Sequence, residues 1–178
     1  MAIYFIRHGQ SEFNAAFKGD GDPLIFDAPL TKLGFEQAAE LRESIAELEI
    51  ARVIASPLTR AIQTARTVFD GIAPIEIRSG HHELLKYSGD VGRHPDKLSA
   101  DFPDLSFENL PPRWWHAHDD LSVAVPVEPE DIFQKRVAHF VTTLDDLDGQ
   151  NVAIVGHGNA FQEIIGFMLN NCQVHQFR

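Results

Sequence analysis

Ile3-Tyr4-Phe5-Ile6-Arg7-His8-Gly9 is the stretch that decides the fold. An apolar run that stops at a charged pair and a glycine reads as a buried strand emptying into a loop. The same grammar recurs further along. Ala51 to Ala55 is a short strand running into Ser56-Pro57, Pro74 to Arg78 is another, and Val152 to Val155 runs into Gly156-His157-Gly158. Helical stretches lie between them. Thr31 is an N-cap for a helix to Leu48, with Leu33, Ala38, Leu41, Ile45 and Leu48 as its apolar stripe. Pro57 opens a second helix with Leu58, Ala61, Ile62, Ala65 and Val68 on one face. Pro129 to Leu147 is a third, with Ile132, Phe133, Val137, Phe140, Val141 and Leu144 inward and Asp145-Asp146-Leu147-Asp148 as a solvated end. Gly158 starts the last helix, to about Leu169, and Cys172 to Phe177 makes an edge strand. This alternation predicts an α/β fold, a three-layer α/β/α sandwich with a mostly parallel central sheet. Ligands of such sheets sit at the carboxyl ends of the strands, where Arg7-His8, Ser56 and His157 all lie.

Composition narrows the function. A chain of 178 residues with 44% hydrophobic and 23% charged residues suits one globular domain. The first apolar stretch is too short for a signal peptide, and no apolar run spans a bilayer. The single Cys172 makes no intrachain disulfide, so a cytoplasmic setting is expected. A net charge of −11 argues against a nucleic-acid partner, which needs basic patches. It also repels phosphate on average, so an anionic substrate must be held by a local arginine cluster. Arg7 and Arg60 supply one.

A neutral imidazole with one ring nitrogen aimed can attack phosphorus. Phosphoryl transfer then asks for in-line positioning and neutralisation of three equatorial oxygens. Two guanidinium forks and a second imidazole meet that demand without a metal. A carboxylic acid must protonate the leaving alkoxide and later activate water.

Arg7-His8-Gly9-Gln10-Ser11-Glu12-Phe13-Asn14 resembles the signature of the histidine phosphatase superfamily, the phosphoglycerate mutase-like group. Asp27-Ala28-Pro29-Leu30-Thr31 with Gly34 and Gln37-Ala38 is similar to a second family segment. Ser56-Pro57-Leu58-Thr59-Arg60-Ala61 with Thr64-Ala65 is similar to a third, and Gly156-His157-Gly158 to the late one. An isolated Arg-His-Gly says little; four segments in order over residues 2–170 say much more. The resemblance implies that His8 is the nucleophile that becomes phosphohistidine. It implies that Arg7, Arg60 and His157 bind the phosphoryl group, with Asn14 adding a hydrogen bond. Its general acid falls at Glu83, with Asp90 as the fallback. It implies no cofactor and no metal.

Mutase members of the group are usually longer, so this length favours a metal-independent phosphomonoester hydrolase acting on a small phosphorylated metabolite. A phosphoglycerate mutase and a silent phosphate- or phosphoprotein-binding module are the alternatives. Residues 84–128 are expected to form a substrate cap within the one domain 1–178, with Arg93, Arg113, Trp114 and Trp115 available to the substrate. His81-His82 is a poor metal pair from one strand end. Gly156-His157-Gly158 is not a dinucleotide fingerprint, because the third glycine position holds Phe161. An exposed C-terminal edge strand would permit a homodimer.

Overall fold

The computed structural model describes every residue except Asp119, Leu121 and Asp148. Asp148 of the acidic helix end and two positions of the 84–128 segment therefore lie outside the described residues. Five strands form one sheet: β1 (Ile3–Arg7), β2 (Arg52–Ala55), β3 (Ile75–Ile77), β4 (Val152–Gly156) and β5 (Val174–Gln176). Their order is β3-β2-β4-β1-β5, parallel throughout except for β5, which runs antiparallel to β1 along one edge.

Period-two alternation sends apolar residues to both faces, because helices cover both. Ile6, Val53, Ala55, Ala153 and Val155 face one way, onto α2 (Lys32–Ile45) and α3 (Thr59–Phe69). Ile3, Phe5, Ile54, Val152 and Ile154 face the other way, onto Phe140 of α5 (Glu130–Thr143) and Phe161 of α6 (Gly158–Ile165). The small residues Ala61 and Ala65 let α3 lie close to the sheet, and Ile62, Val68 and Phe69 are fully buried beside them. Two short helices complete the chain: α1 (Glu12–Ala16) after the first strand, and α4 (Pro95–Asp101).

Four sequence expectations shift. The second long helix begins at Thr59, with Leu58 extended before it, rather than at Pro57. Its first turn is capped from afar: Asp27 accepts from the Thr59 backbone N–H at 2.8 Å and from its hydroxyl at 2.5 Å. Residues 56–58 are thus freed to carry Ser56 to the site. In α2, Thr31 caps as expected, accepting from the Gly34 N–H at 3.0 Å, but Leu33 is exposed and Gly34 buried. The start of α2 presses on the first loop; a Cβ on Gly34 would meet the Gln10 carbonyl oxygen at 2.1 Å. In α5, Ile132 is exposed while Phe133, Val137 and Phe140 are buried. The last helix stops at Ile165, where Gly166 turns left-handed at φ 84°.

The 84–128 segment also contributes to the core. Leu98 of α4, Phe102, Phe107, Leu110 and Trp114 join the core on the α2–α3 face.

Candidate active site

The register sets the site. Arg7 of β1 pairs with Gly156 of β4, and Ala55 of β2 with Val155. The ladder continues one step further: the His8 N–H donates to the Gly156 carbonyl and the Ser56 N–H to the Val155 carbonyl, each at 3.0 Å. His8, Ser56 and His157 therefore emerge side by side from three adjacent strands. The His8 and His157 rings lie 5.1 Å apart, centroid to centroid.

His8 is 2% exposed. Its Nδ1 lies 2.7 Å from the Gly9 carbonyl oxygen. A carbonyl only accepts, so the proton is on Nδ1 and Nε2 keeps its lone pair. Burial, then the Arg60 and Arg7 charges, push the His8 pKa well below its ordinary value, which keeps the ring neutral at pH 7. The loop carrying that carbonyl is fixed by Thr64, whose hydroxyl accepts from the Gly9 N–H at 3.1 Å and donates to the Arg60 carbonyl at 2.7 Å. Asn171 donates to the His8 carbonyl at 2.8 Å.

Arg60 is almost fully buried. Its Nε donates to His8 Nε2 at 3.2 Å, Nη1 to the Gly89 carbonyl at 2.5 Å, and Nη2 to Asp90 at 3.0 Å. Arg7 reaches the Leu169 carbonyl through Nη1 at 2.6 Å, while its buried Nε has no partner among the described residues. His157 pairs Nε2 with the Ser56 hydroxyl at 2.7 Å, and its buried Nδ1 is likewise unpartnered. Burial first, then Arg60 and His8, depress the His157 pKa well below the ordinary value. Buried polar atoms are normally paired. Two such orphans, on Arg7 and His157, lie on residues flanking His8; His81 Nδ1 and His82 Nε2 are the other two among the described residues.

Two carboxylates approach. Glu83 sits on the N-terminus of α6: its oxygens accept from the N–H groups of Leu84 (2.9 Å), Ala160 (3.2 Å) and Asn159 (3.2 Å). Asp90 is committed to the Arg60 ion pair and to the Lys86 and Tyr87 N–H groups at 3.3 and 3.2 Å. Burial raises its pKa to about 6; Arg60 opposes the shift and Glu83 reinforces it. Of the two acids read from the sequence, Asp90 is thus the arginine's counter-ion, and Glu83 makes no ion pair among the described residues.

Arg7, His8, Asn14, Arg60, Glu83 and Asp90 line one cavity of about 140 Å³. Asn14 closes a reciprocal cap with Ser11, its Oδ1 accepting from the Ser11 N–H at 3.1 Å, which leaves its amide N–H₂ for other partners. His157 lies a layer deeper, fully buried beneath the lining.

Of the 84–128 segment, Leu84, Lys86, Tyr87 and Asp90 line this cavity. Arg93, Arg113, Trp114 and Trp115, named from the sequence as available to the substrate, do not line it. Arg93 is committed to Asp27 and Asp101, both at 2.6 Å, and to the Thr59 hydroxyl at 2.7 Å, in a separate surface hollow. Trp114 is buried, its Nε1 donating to the Arg93 carbonyl at 2.9 Å. Arg113 lies over the Trp115 ring at 5.9 Å. His81 and His82 are buried, bonding the Val155 and Ser79 carbonyls. Among the described residues no group of three His, Cys, Asp or Glu is arranged to hold a metal. Burial pushes the Cys172 thiol up to about 12, as suits an unreactive packing residue.

Sequence reading missed Thr64 and Asn171 as supports of the His8 loop. Thr64 carried a signal, since it stands one helical turn after Arg60. Asn171 carried none. Phe13 and Tyr87, which also line the cavity, had none either.

Comparisons with known proteins define the family. The family model described as histidine phosphatase superfamily (branch 1) matches residues 3–178, and the chain belongs to that family. An adenosylcobalamin/alpha-ribazole phosphatase of Salmonella typhimurium is 30% identical over 95% of this chain and 80% of its own. Among solved structures, the alpha-ribazole phosphatase from Shigella flexneri has a TM-score of 0.64 at 25% identity, covering 98% of this chain and 88% of that one. Phosphoserine phosphatase from Entamoeba histolytica, in complex with 3-phosphoglyceric acid, shares the fold with a TM-score of 0.64 at 21% identity, covering 99% and 90%.

Proposed function

We propose that this chain hydrolyses phosphomonoesters of small molecules through a phosphohistidine at His8. The observation that carries the reading is the Nδ1–Gly9 bond, which holds the His8 Nε2 lone pair in a cavity beside Arg7 and Arg60. Nε2 attacks phosphorus and the P–O bond to the leaving group breaks. Arg7, Arg60 and the Asn14 amide hold the equatorial oxygens. The Ser56 hydroxyl donates to His157 Nε2, so that His157 offers its Nδ1–H to the same group. Glu83 gives a proton to the leaving oxygen. It then takes one from water, which attacks the phosphohistidine and releases inorganic phosphate and free His8.

The charge neutralisation comes from arginines, so the reaction needs no metal and no cofactor. Residues 84–90 act as the substrate cap within a single domain. No helix among the described residues is long and apolar enough to cross a membrane. A cytoplasmic enzyme accords with the lone, half-buried Cys172, and a homodimer would use the free edge of β5.

Turnover of a phosphomonoester in EDTA by the wild type, and none by folded His8→Ala, is the expected result. An acid-labile, base-stable phosphoryl label on the wild type completes the test. Substantial turnover in the folded variant overturns the nucleophile. Loss on chelation that Mg²⁺ restores overturns the arginine-only account.

A further inference from the structure

Phe13, Phe17 and Tyr87 form one aromatic wall. Their ring centroids stand 5.5 Å (Phe13–Phe17), 5.6 Å (Phe13–Tyr87) and 5.0 Å (Phe17–Tyr87) apart. Phe13 and Tyr87 line the His8 cavity, with Leu84 beside them. All three rings are half-buried, so each keeps surface to offer a ligand.

The wall is built from two separate segments and is held in shape. Asp22, on the loop after α1, accepts from the Ser88 N–H at 2.7 Å and from the Ser88 hydroxyl at 2.5 Å, tying that loop to the turn that carries Tyr87. Gly89 makes room for Phe13: a Cβ there would meet the ring at 2.7 Å. The rings are therefore placed before any ligand arrives, which lowers the ordering cost of binding.

The cavity of about 140 Å³ takes the phosphoryl group and little else, so the rest of the substrate must lie against its mouth. Polar side chains line the same cavity: Lys86 is an exposed cation, Asn159 stands beside Glu83, and Asn14 keeps its amide N–H₂. They can meet polar substituents of a substrate, whereas Phe13 and Phe17 offer only ring surface. A flat apolar ring finds aromatic faces and edges with which to stack.

We infer that the leaving-group subsite takes a flat aromatic or heteroaromatic ring, carried on the alcohol portion of the phosphomonoester. This rests on the hydrolase reading above and adds the substrate class.

The test compares 2-(1-naphthyl)ethyl phosphate, 2-cyclohexylethyl phosphate and phosphoserine. All three leave as alkoxides, so leaving-group acidity does not favour the ring. The wild type is expected to show kcat/KM for the naphthyl ester about tenfold above the cyclohexyl ester, as a gain from aromatic stacking. Phosphoserine should fall below both. In Tyr87→Leu and Phe13→Leu, which keep an apolar side chain and lose the flat face, the naphthyl-to-cyclohexyl ratio should fall towards one. A ratio near one in the wild type, or one unmoved in both variants, overturns the ring subsite. So does phosphoserine as the best of the three.

Dissociation constants of the matching naphthyl and cyclohexyl phosphonates, which cannot be hydrolysed, separate the two readings. Tighter naphthyl binding without turnover of any ester sinks the hydrolase and keeps the ring subsite. Equal binding with turnover sinks the ring subsite alone.

Discussion

The two ends of the pocket are built differently. The phosphoryl end is made of residues at the tips of three adjacent strands, buried and held by bonds that the sheet register dictates. The mouth is made of α1, the loop that follows it and the 86–90 turn, half-exposed and tied together by Asp22 and Ser88. Strand tips are placed by ladders on both sides. Loop segments are placed by a few contacts and can differ from one chain to the next. On the proposed function, the chemistry would sit on the part set by the sheet, and the choice of substrate on the part set by the loops.

The sharpest test of this division is Glu83→Gln, which keeps an oxygen for the α6 N-terminus and removes the proton. For an alkyl ester, whose leaving alkoxide needs that proton, kcat should fall about 10²–10⁴-fold. For a nitrophenyl ester, whose leaving group departs as the anion, the loss should be much smaller. Equal losses for both esters would move the acid elsewhere and blur the boundary between the two ends.

One substitution made at each end comes next. In Gly9→Ala the new Cβ meets the Gly34 carbonyl oxygen at 2.5 Å, which is backbone on both sides. In Gly89→Ala it meets the Phe13 ring at 2.7 Å, a side chain that can rotate away. Gly9→Ala should cost the upper part of the ~1–3 kcal/mol range for overpacking, and Gly89→Ala the lower part. Urea unfolding measures both. A reversed order would show the mouth to be the stiffer region.

The last test is in acid. Burial depresses the pKa of His8, His81, His82 and His157 below the ordinary value of 6.5, that of His81 to about 3. Their neutral burial contributes stability that is fully present above the unfolded value and is lost as pH falls below it. Each histidine steepens the loss by up to about 1.4 kcal/mol per pH unit. Unfolding free energies should hold from pH 8 to 7 and fall from pH 6.5 downward. His81→Phe, away from the cavity, should flatten the slope by one proton. An unchanged slope would mean that His81 does not titrate in this window.

The same division explains what could be read from the sequence. Apolar runs ending in Arg7-His8, Ser56 and Gly156-His157 announce strands and their tips, because a buried strand needs only its own residues to be recognised. The parts that escaped depend on partners far along the chain. Helix α3 starts late because its cap is Asp27, which precedes it by 32 residues. Leu33 is exposed because α2 is rotated by the meeting of Gly34 with the Gln10 backbone. Arg93 looked free for a substrate because neither Asp27 nor Asp101 is identifiable as its partner from spacing. The Phe13–Tyr87 wall joins two segments that no local pattern connects.

The Arg60–His8 bond has a further consequence. One guanidinium donates through Nε to His8 Nε2 and through Nη2 to Asp90, so it joins the imidazole and a buried carboxylate in a single relay. Any change of charge at Asp90 is therefore felt at His8 through the arginine they share.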